Sequence, residues 1–355
     1  MNLQKKNIDI LEEDFEIVVR QFSKSDWKKL DKKSILITGA SGFMGSYLSQ
    51  FFCYLQNKFN LKIDLICLSR SKNKIEKQSW YKNKNKKSKI KIFIEDLNKL
   101  KIKKLPTFDI CIYCASNASP VHYKTNPIET LKPNITGLIN VLEQASKTVK
   151  FLYVSSGEVY GNQPNILLKE ENIGSLDQLD VRSCYGESKR MAENICISYF
   201  FQKKLDIRIV RPFHTYGPGL SKNDGRVFAD FIHSAANKSP VKLTSDGNAM
   251  RPFCYISDYL SAIMTIYFKG KPGNAYNVAN PYQEISIKKL AHLIHEIAGI
   301  PLAKVQFTKQ KSIYLKSNIA KQNVSIEKLE LLGWKPLINL YNGFTRSIAY
   351  ERNKL

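Results

Sequence analysis

Ser34-Ile-Leu-Ile-Thr38 runs straight into Gly39-Ala-Ser-Gly42-Phe-Met-Gly45, and this junction decides the fold. The short apolar run predicts a buried strand. The glycines permit a tight turn and let backbone N–H groups approach a pyrophosphate at the N-terminus of a helix. The apolar segment from Tyr47 to Leu55 predicts that helix. The spacing is G-x-x-G-x-x-G rather than G-x-G-x-x-G, so the strand–turn–helix context carries more of the argument than the glycines do.

Working outward, the same strand signal recurs at Ile63–Leu68, Ile90–Ile94, Ile110–Cys114, Lys150–Val154 and Ile207–Val210. Helical stretches fall between them, one holding Leu138 to Ala145 and one running from Tyr185 towards Phe201. Alternating strand and helix predicts an α/β fold with a Rossmann-like, doubly wound parallel sheet. Residues 1–33 read as an N-terminal helical extension, with Ile8, Ile10, Leu11, Phe15, Ile17, Val18 and Phe22 as its apolar stripe. Residues 34–211 read as the dinucleotide-binding domain. Beyond them the chain is irregular and richer in Gly, Pro and aromatics, which predicts a smaller α/β substrate domain over 212–355. The chain is expected to re-enter the first domain near 255–280.

At 355 residues, with 43% hydrophobic and 24% charged residues, the chain has the composition of a soluble globular protein. No apolar run reaches the ~20 residues that span a bilayer, and the N-terminus lacks the apolar core of a signal peptide. Seven cysteines scattered through apolar segments predict a reducing, cytoplasmic setting without a disulfide framework. Cys111 and Cys114 share a short apolar strand, so burial is expected there rather than metal or redox work, and no metal site is expected. The net charge of +24 is mostly lysine, much of it between Lys72 and Lys104. That stretch predicts a solvated surface, a loop or mobile helix, with no nucleic acid expected as partner.

Tyr185 and Lys189 are four apart on a predicted helix and so share one face. A phenol is a weak base at neutral pH, and a neighbouring ammonium is expected to lower its pKa. The pair reads as a general base that takes a proton from a sugar hydroxyl as hydride leaves. Ser156, in Ser155-Ser-Gly-Glu158 after the fifth strand, can bond the same hydroxyl, and Glu158 brings a carboxylate close to the reacting centre. At the end of the second strand, Ser69-Arg70-Ser71-Lys72 stands where an acid usually holds the ribose 2′-hydroxyl. That leaves NADP open beside NAD. Asp96-Leu97, after the third strand, is placed to face the adenine. Arg226 and Arg251 are two of about ten arginines in a lysine-rich chain, which suggests a fork-shaped partner such as a diphosphate.

With these residues in place, the chain resembles the extended short-chain dehydrogenases/reductases of the NAD-dependent nucleotide-sugar epimerase/dehydratase group. The resemblance covers roughly residues 34–340. It rests on Gly39-x-x-Gly42-x-x-Gly45, Ser156, Tyr185 with Lys189, Arg211-Pro-Phe, and Leu332-Gly-Trp-Lys-Pro336. Within the group, Val181-Arg-Ser-Cys-Tyr185 and Asp224-Gly-Arg-Val227 are most similar to UDP-glucuronate decarboxylases. The resemblance implies a homodimer, through the helices flanking the tyrosine, and a role in polysaccharide synthesis. It implies bound NAD, contacted by Gly39, Ser41, Gly42, Phe43, Met44, Gly45, Arg70, Asp96, Leu97, Ala115, Ser116, Tyr185, Lys189 and Pro212. It also implies a UDP-sugar held by Ser156, Glu158, His214, Arg226, Arg251 and Lys321.

All members of the group begin by oxidising the sugar at C4. Sugar 4,6-dehydratases then use an Asp-Glu pair, whereas this chain has Gly157 and Glu158. Loss of the acid argues against ordinary dehydration, and retention of the glutamate argues for chemistry at C5. Decarboxylation of a uronic acid fits both. Lys321 stands about where similar decarboxylases place an arginine for the substrate carboxylate, and His214 replaces a common asparagine. A 4-epimerase, a C5-acting epimerase and an atypical dehydratase therefore stay open. So does a non-catalytic protein that binds a dinucleotide or RNA. Cys184, beside Tyr185, is expected to be buried.

Overall fold

The computed structural model describes residues 3–82, 89–100, 105–163, 166–243, 245–301, 305–307 and 319–354. Seven strands form its main sheet: β1 Ser34–Thr38, β2 Asp64–Ser69, β3 Lys89–Ile94, β4 Ile110–Tyr113, β5 Lys150–Val154, β6 Asp206–Pro212 and β7 Asn274–Val278. All pair in parallel, in the order β3-β2-β1-β4-β5-β6-β7. The doubly wound sheet expected from the sequence is present. Its order reverses between β1 and β4, which opens a crevice at their C-terminal ends.

The strands are apolar throughout because both faces are covered. Ile35 and Ile37 of β1 join one core cluster, while Leu36 joins another. On the first face lie the helices Phe43–Phe59 and Ile256–Lys269, contributing Leu48, Phe51, Leu260 and Ile263. On the second lie Thr136–Leu142 and Cys184–Lys203, contributing Leu138, Val141, Ala192 and Cys196.

Several boundaries differ from the sequence reading for identifiable reasons. Strand β4 ends at Tyr113 because the Ala115 N–H turns across the crevice to Thr38 Oγ1, 3.1 Å away. Strand β6 extends to Pro212 because β7 pairs along it, from Asn274 opposite Arg208 to Val278 opposite Pro212. The lysine-rich stretch contains two short helices, Lys72–Glu76 and Ser79–Lys82, anchored by buried Ile75 and Trp80. Its residues 83–88 and 101–104 lie outside the described residues. Cys111 is buried within β4, and Cys114 follows it.

The N-terminal helix Leu3–Val19 is part of the core rather than an appendage. Leu11, Phe15 and Val18 are buried, and the Phe15 ring meets Tyr47 edge-on at 5.1 Å. Asp14, fully buried, accepts hydrogen bonds from Tyr47 (3.1 Å), Tyr255 (2.8 Å) and Arg346 (3.1 Å). Beyond β6, the helices Val227–Ala236, Ile287–Ala298 and Leu340–Arg352 add buried side chains to the first cluster. Trp334 of the Leu-Gly-Trp segment is buried and donates to Ser261 Oγ at 2.8 Å. Among the described residues no helix is long and apolar enough to cross a membrane.

Candidate active site

The crevice between β1 and β4 leads into the glycine turn. Gly39 takes φ +66°, and a Cβ there would stand 3.0 Å from the Ala115 Cα. A Cβ on Gly45 would lie 2.4 Å from the Gly39 carbonyl oxygen, so the helix starts hard against the turn. Gly42 occupies the N-cap of the 17-residue helix Phe43–Phe59 and supplies no side chain to its first-turn N–H groups. An open helix N-terminus attracts anions. Nearby, next to Ala115, the Ser116 hydroxyl is buried with no hydrogen-bond partner among the described residues. Closed glycines, an uncapped helix end and an orphan hydroxyl fit the diphosphate of a dinucleotide.

The remaining residues expected on the cofactor side line up along the same edge. Ser41 Oγ lies 2.8 Å from Ser69 Oγ, tying the turn to the end of β2. Phe43 and Met44 are half-buried in the first helical turn, and Pro212 is buried at the end of β6. Arg70 is exposed, 3.4 Å from Asn117 Oδ1. Asp96 uses one carboxylate oxygen locally, accepting the Asn98 N–H at 3.0 Å, and Leu97 is buried.

Ser156 follows β5 and caps the short helix Gly157–Tyr160, its Oγ accepting the Glu158 N–H at 3.2 Å. Tyr185 sits in the first turn of the helix Cys184–Lys203, its buried ring stacked on that of Tyr123. One turn on, the Lys189 Nζ lies 5.8 Å from the Tyr185 ring centroid. It donates to the Val154 carbonyl at 2.7 Å. Burial pushes Tyr185 up to about 12, while its hydrogen bond with Ser156 pulls it down; Glu158 adds to the rise and Arg226 opposes it. Burial brings Lys189 down to about 7. The expectation that the lysine sets the tyrosine pKa is thereby corrected. Desolvation dominates Tyr185, and the opposing influences are Ser156 and Arg226, with the Lys189 ammonium turned to a backbone carbonyl.

Glu158 forms an ion pair with Arg182, 3.2 Å from Oε2 to Nη1. Gly157 is walled in: a Cβ there would stand 2.5 Å from the Phe213 ring. On the substrate side, His214 adopts φ +36° and its Nε2 meets Gln322 Oε1 at 2.5 Å. Burial, helped by Arg251, pulls the imidazole down to about 3, so it is neutral. Arg226 is gripped by both oxygens of Asp224 at 2.5 and 2.8 Å. Arg251 is buried and donates to the carbonyls of Met250 (2.7 Å), Ile319 (2.7 Å) and Ala320 (3.3 Å). Cys184 is half-buried, and burial raises its thiol.

The Tyr123 hydroxyl feels Tyr185, Glu158, Arg226 and Arg182 together, and Arg251 feels Glu158 and Arg182. Three arginines and one glutamate therefore converge around the Ser156–Tyr185 pair. Lys321 is a correction: it is exposed and paired with Glu284 at 3.3 Å. Its neighbour Gln322 is the buried one, because a one-residue step along an extended segment reverses the side chain. Arg182, Gln322 and Tyr123 were missed in the sequence. Arg182 carried a usable signal, an arginine in a lysine-rich chain three residues before Tyr185. Tyr123, in the short helix Pro120–Thr125, carried none.

Residues 35–279 match the NAD dependent epimerase/dehydratase family. The UDP-glucuronic acid decarboxylase 1 of Xenopus tropicalis is 31% identical over 92% of this chain and 73% of its own length. The UDP-glucuronic acid decarboxylase 6 of Arabidopsis thaliana is 32% identical over 87% of this chain and 86% of its own. Among solved structures, the UDP-glucuronic acid 4-epimerase of Bacillus cereus superposes with a TM-score of 0.76 at 21% identity, covering 91% of this chain and all of that one. The last is a likeness of fold.

Proposed function

Because this chain belongs to the NAD-dependent epimerase/dehydratase family, we propose that it decarboxylates a UDP-linked uronic acid, as the names of its UDP-glucuronic acid decarboxylase relatives suggest. The observation that carries this reading is the pairing of Glu158, kept beside Ser156 and Tyr185, with Gly157, which has no room for a side chain. A second acid to expel a C6 hydroxyl has no place to stand, so ordinary 4,6-dehydration is disfavoured.

When bound, NAD supplies a reversible two-electron acceptor for C4 of the sugar. Gly39, Gly42 and Gly45 admit its diphosphate, and Lys189 is placed to hold its ribose. Ser156 orients the C4 hydroxyl, and Tyr185 takes its proton. The resulting 4-ketone makes the C6 carboxylate a β-keto acid, which loses carbon dioxide readily. The enolate carbon C5 then takes up a proton that comes from water, and Glu158 is the carboxylate suited to relay it. Tyr185 returns its proton as C4 is reduced again. Arg226 and Arg251 bring positive charge for the diphosphate of the substrate, while much of their hydrogen-bonding capacity is committed to Asp224 and to backbone carbonyls.

A 4-epimerase is the second reading, favoured by the outward position of Lys321. A homodimer through the helices Pro127–Asn134 and Cys184–Lys203 belongs to the proposal, supported by exposed Ile128, Met191 and Phe201 on them. So does a cytoplasmic location. The test is incubation with a panel of UDP-, dTDP-, GDP- and CDP-sugars, read by mass. Loss of carbon dioxide from UDP-glucuronate supports the proposal. Loss of water or an unchanged mass with an altered sugar replaces it with dehydration or epimerisation. Failure of every sugar to turn over, with salt-sensitive RNA binding, overturns the enzymatic reading.

A further inference from the structure

We propose that Arg182 is the receptor for the substrate carboxylate, an assignment that rests on the decarboxylase reading above. The sequence had suggested Lys321 for this part, and the fold turns that side chain outward to Glu284. Around Ser156 and Tyr185 three guanidinium groups remain. Arg226 is held by both oxygens of Asp224. Arg251 spends its terminal nitrogens on three backbone carbonyls. Arg182 gives Nη1 to Glu158, while its Nε is buried without a hydrogen-bond partner among the described residues.

A guanidinium presents five N–H donors and binds carboxylates through two of them at once. A buried, unmatched donor is costly, so a site that contains one is incomplete until an acceptor arrives. The Arg182 side chain is only 14% exposed, so bulk water reaches it poorly. Its backbone is pinned as well: Asp180 Oδ1 accepts the Arg182 N–H at 2.9 Å and starts the short helix Val181–Ser183. That helix leads directly into Cys184–Lys203, so Arg182 and Tyr185 are carried on one rigid unit. A carboxylate on the sugar ring whose C4 hydroxyl meets Tyr185 falls within reach of the same unit.

Glu158 gives this receptor a second property. A substrate carboxylate seated on Arg182 lies beside the Glu158 carboxylate on the same guanidinium. Two like charges repel at that range. Loss of neutral carbon dioxide leaves the bonding electron pair on the sugar as the C4–C5 enolate, so the charge moves off the carboxylate seated beside Glu158. A neutral C6 hydroxymethyl makes no ion pair with Arg182.

Calorimetric titration of the NAD-loaded protein with UDP-glucuronate, UDP-glucose and UDP, with the wild-type reference and every variant carrying Tyr185→Phe so that the uronate is not consumed, tests the assignment. The wild type is expected to prefer the uronate. Arg182→Met should lower affinity for UDP-glucuronate by about tenfold or more, the scale of a lost charge-assisted hydrogen bond, and leave UDP within about twofold. Arg182→Lys should recover only part of the loss, because an ammonium is not a fork. Glu158→Gln should tighten the uronate selectively by removing the repulsion. Equal losses for UDP and UDP-glucuronate in the Met variant would mark Arg182 as structural and overturn the assignment, as would no loss at all. If Arg182→Met fails to fold, Arg182→Lys decides alone: it must bind UDP normally and the uronate several-fold more weakly. A wild type without preference for the uronate removes the substrate reading, and Arg182 with it. A wild type that prefers the uronate alongside an Arg182→Met variant that still does removes Arg182 only.

Discussion

The ring of Tyr123 lies nearly parallel to that of Tyr185, with 4.9 Å between centroids and 13° between planes. Tyr123 is itself fixed, its hydroxyl donating to the Ala118 carbonyl at 2.9 Å. The stack holds the Tyr185 hydroxyl against Ser156 and keeps water away from it. Tyr185→Phe removes the hydroxyl and spares the ring, so packing and NAD binding should survive. Turnover should fall on the order of 100- to 10,000-fold, the usual contribution of a positioned base. A base works only when deprotonated, and burial lifts this one to about 12. The kcat/KM of the wild type should therefore rise with pH on the alkaline side of neutrality. Residual turnover of the Phe variant should lack that rise. Wild-type turnover in Tyr185→Phe would remove the tyrosine from its assigned part.

Gly157 and Phe213 make a second prediction. The Phe213 ring fills the space that a side chain at 157 would need, at 2.5 Å from a Cβ. Gly157→Asp should therefore destabilise the fold by about 1–3 kcal/mol, the scale of an overpacked core, visible as a lower thermal midpoint. Adding Phe213→Ala to that variant should win back part of the midpoint, although Phe213→Ala alone lowers it. If Gly157→Asp melts like the wild type, the wall at 157 is softer than the geometry says.

Asp14 predicts a pH dependence of stability. Burial raises its carboxyl from an ordinary 3.8 to about 7, against the pull of Tyr255, Arg346 and Tyr47. The folded chain then holds a proton that the unfolded chain has released anywhere between those two values. Stability from this group is fully present below 3.8 and is lost as pH rises through about 7. Asp14→Asn keeps an acceptor for Tyr255 and Tyr47 and cannot ionise. Its midpoint relative to wild type should improve steadily from pH 5 to pH 8, read by calorimetry. A constant difference across that range would contradict the raised carboxyl. Asp258, also lifted to about 7 by burial, keeps some slope in both proteins.

How far the site could be read in advance depended on whether its parts were local. The glycine turn and the Tyr185–Lys189 spacing are contiguous in the chain, and their geometry follows from strand, turn and helix periodicity alone. The buried strands β1, β4 and β5 were legible for the same reason. Tyr123 reaches Tyr185 from a different helix, across 62 positions of sequence, and no periodicity joins them. Gln322 was one residue from the position named, and in an extended segment one residue is the difference between inside and outside. The Lys189 effect on Tyr185 was misjudged for an energetic reason. Sequence gives the neighbour but not the desolvation, and here burial exceeds the pair's mutual influence. The N-terminal helix was legible as a helix, whereas its place in the core depended on Asp14 meeting Arg346 at the far end of the chain.

His214 carries the last prediction, with a sign opposite to that of Asp14. Its backbone sits at φ +36°, a region that Asn, Asp and His enter more readily than other side chains. His214→Asn should therefore fold with a midpoint close to wild type at neutral pH. His214→Val should lose about 1–2 kcal/mol, since a β-branched residue meets its own carbonyl there. Burial, aided by Arg251 and opposed by the bond to Gln322, draws its pKa from 6.5 down to about 3. The unfolded chain takes up a proton in that interval and the folded chain does not. Stability from this group is therefore present above 6.5 and lost as pH falls towards 3. His214→Asn cannot take up that proton in either state, so its midpoint should overtake wild type as the buffer is lowered from pH 7 to pH 5. A gap that stays fixed over that range would mean that the imidazole titrates alike in both states, and that it is not held neutral by burial.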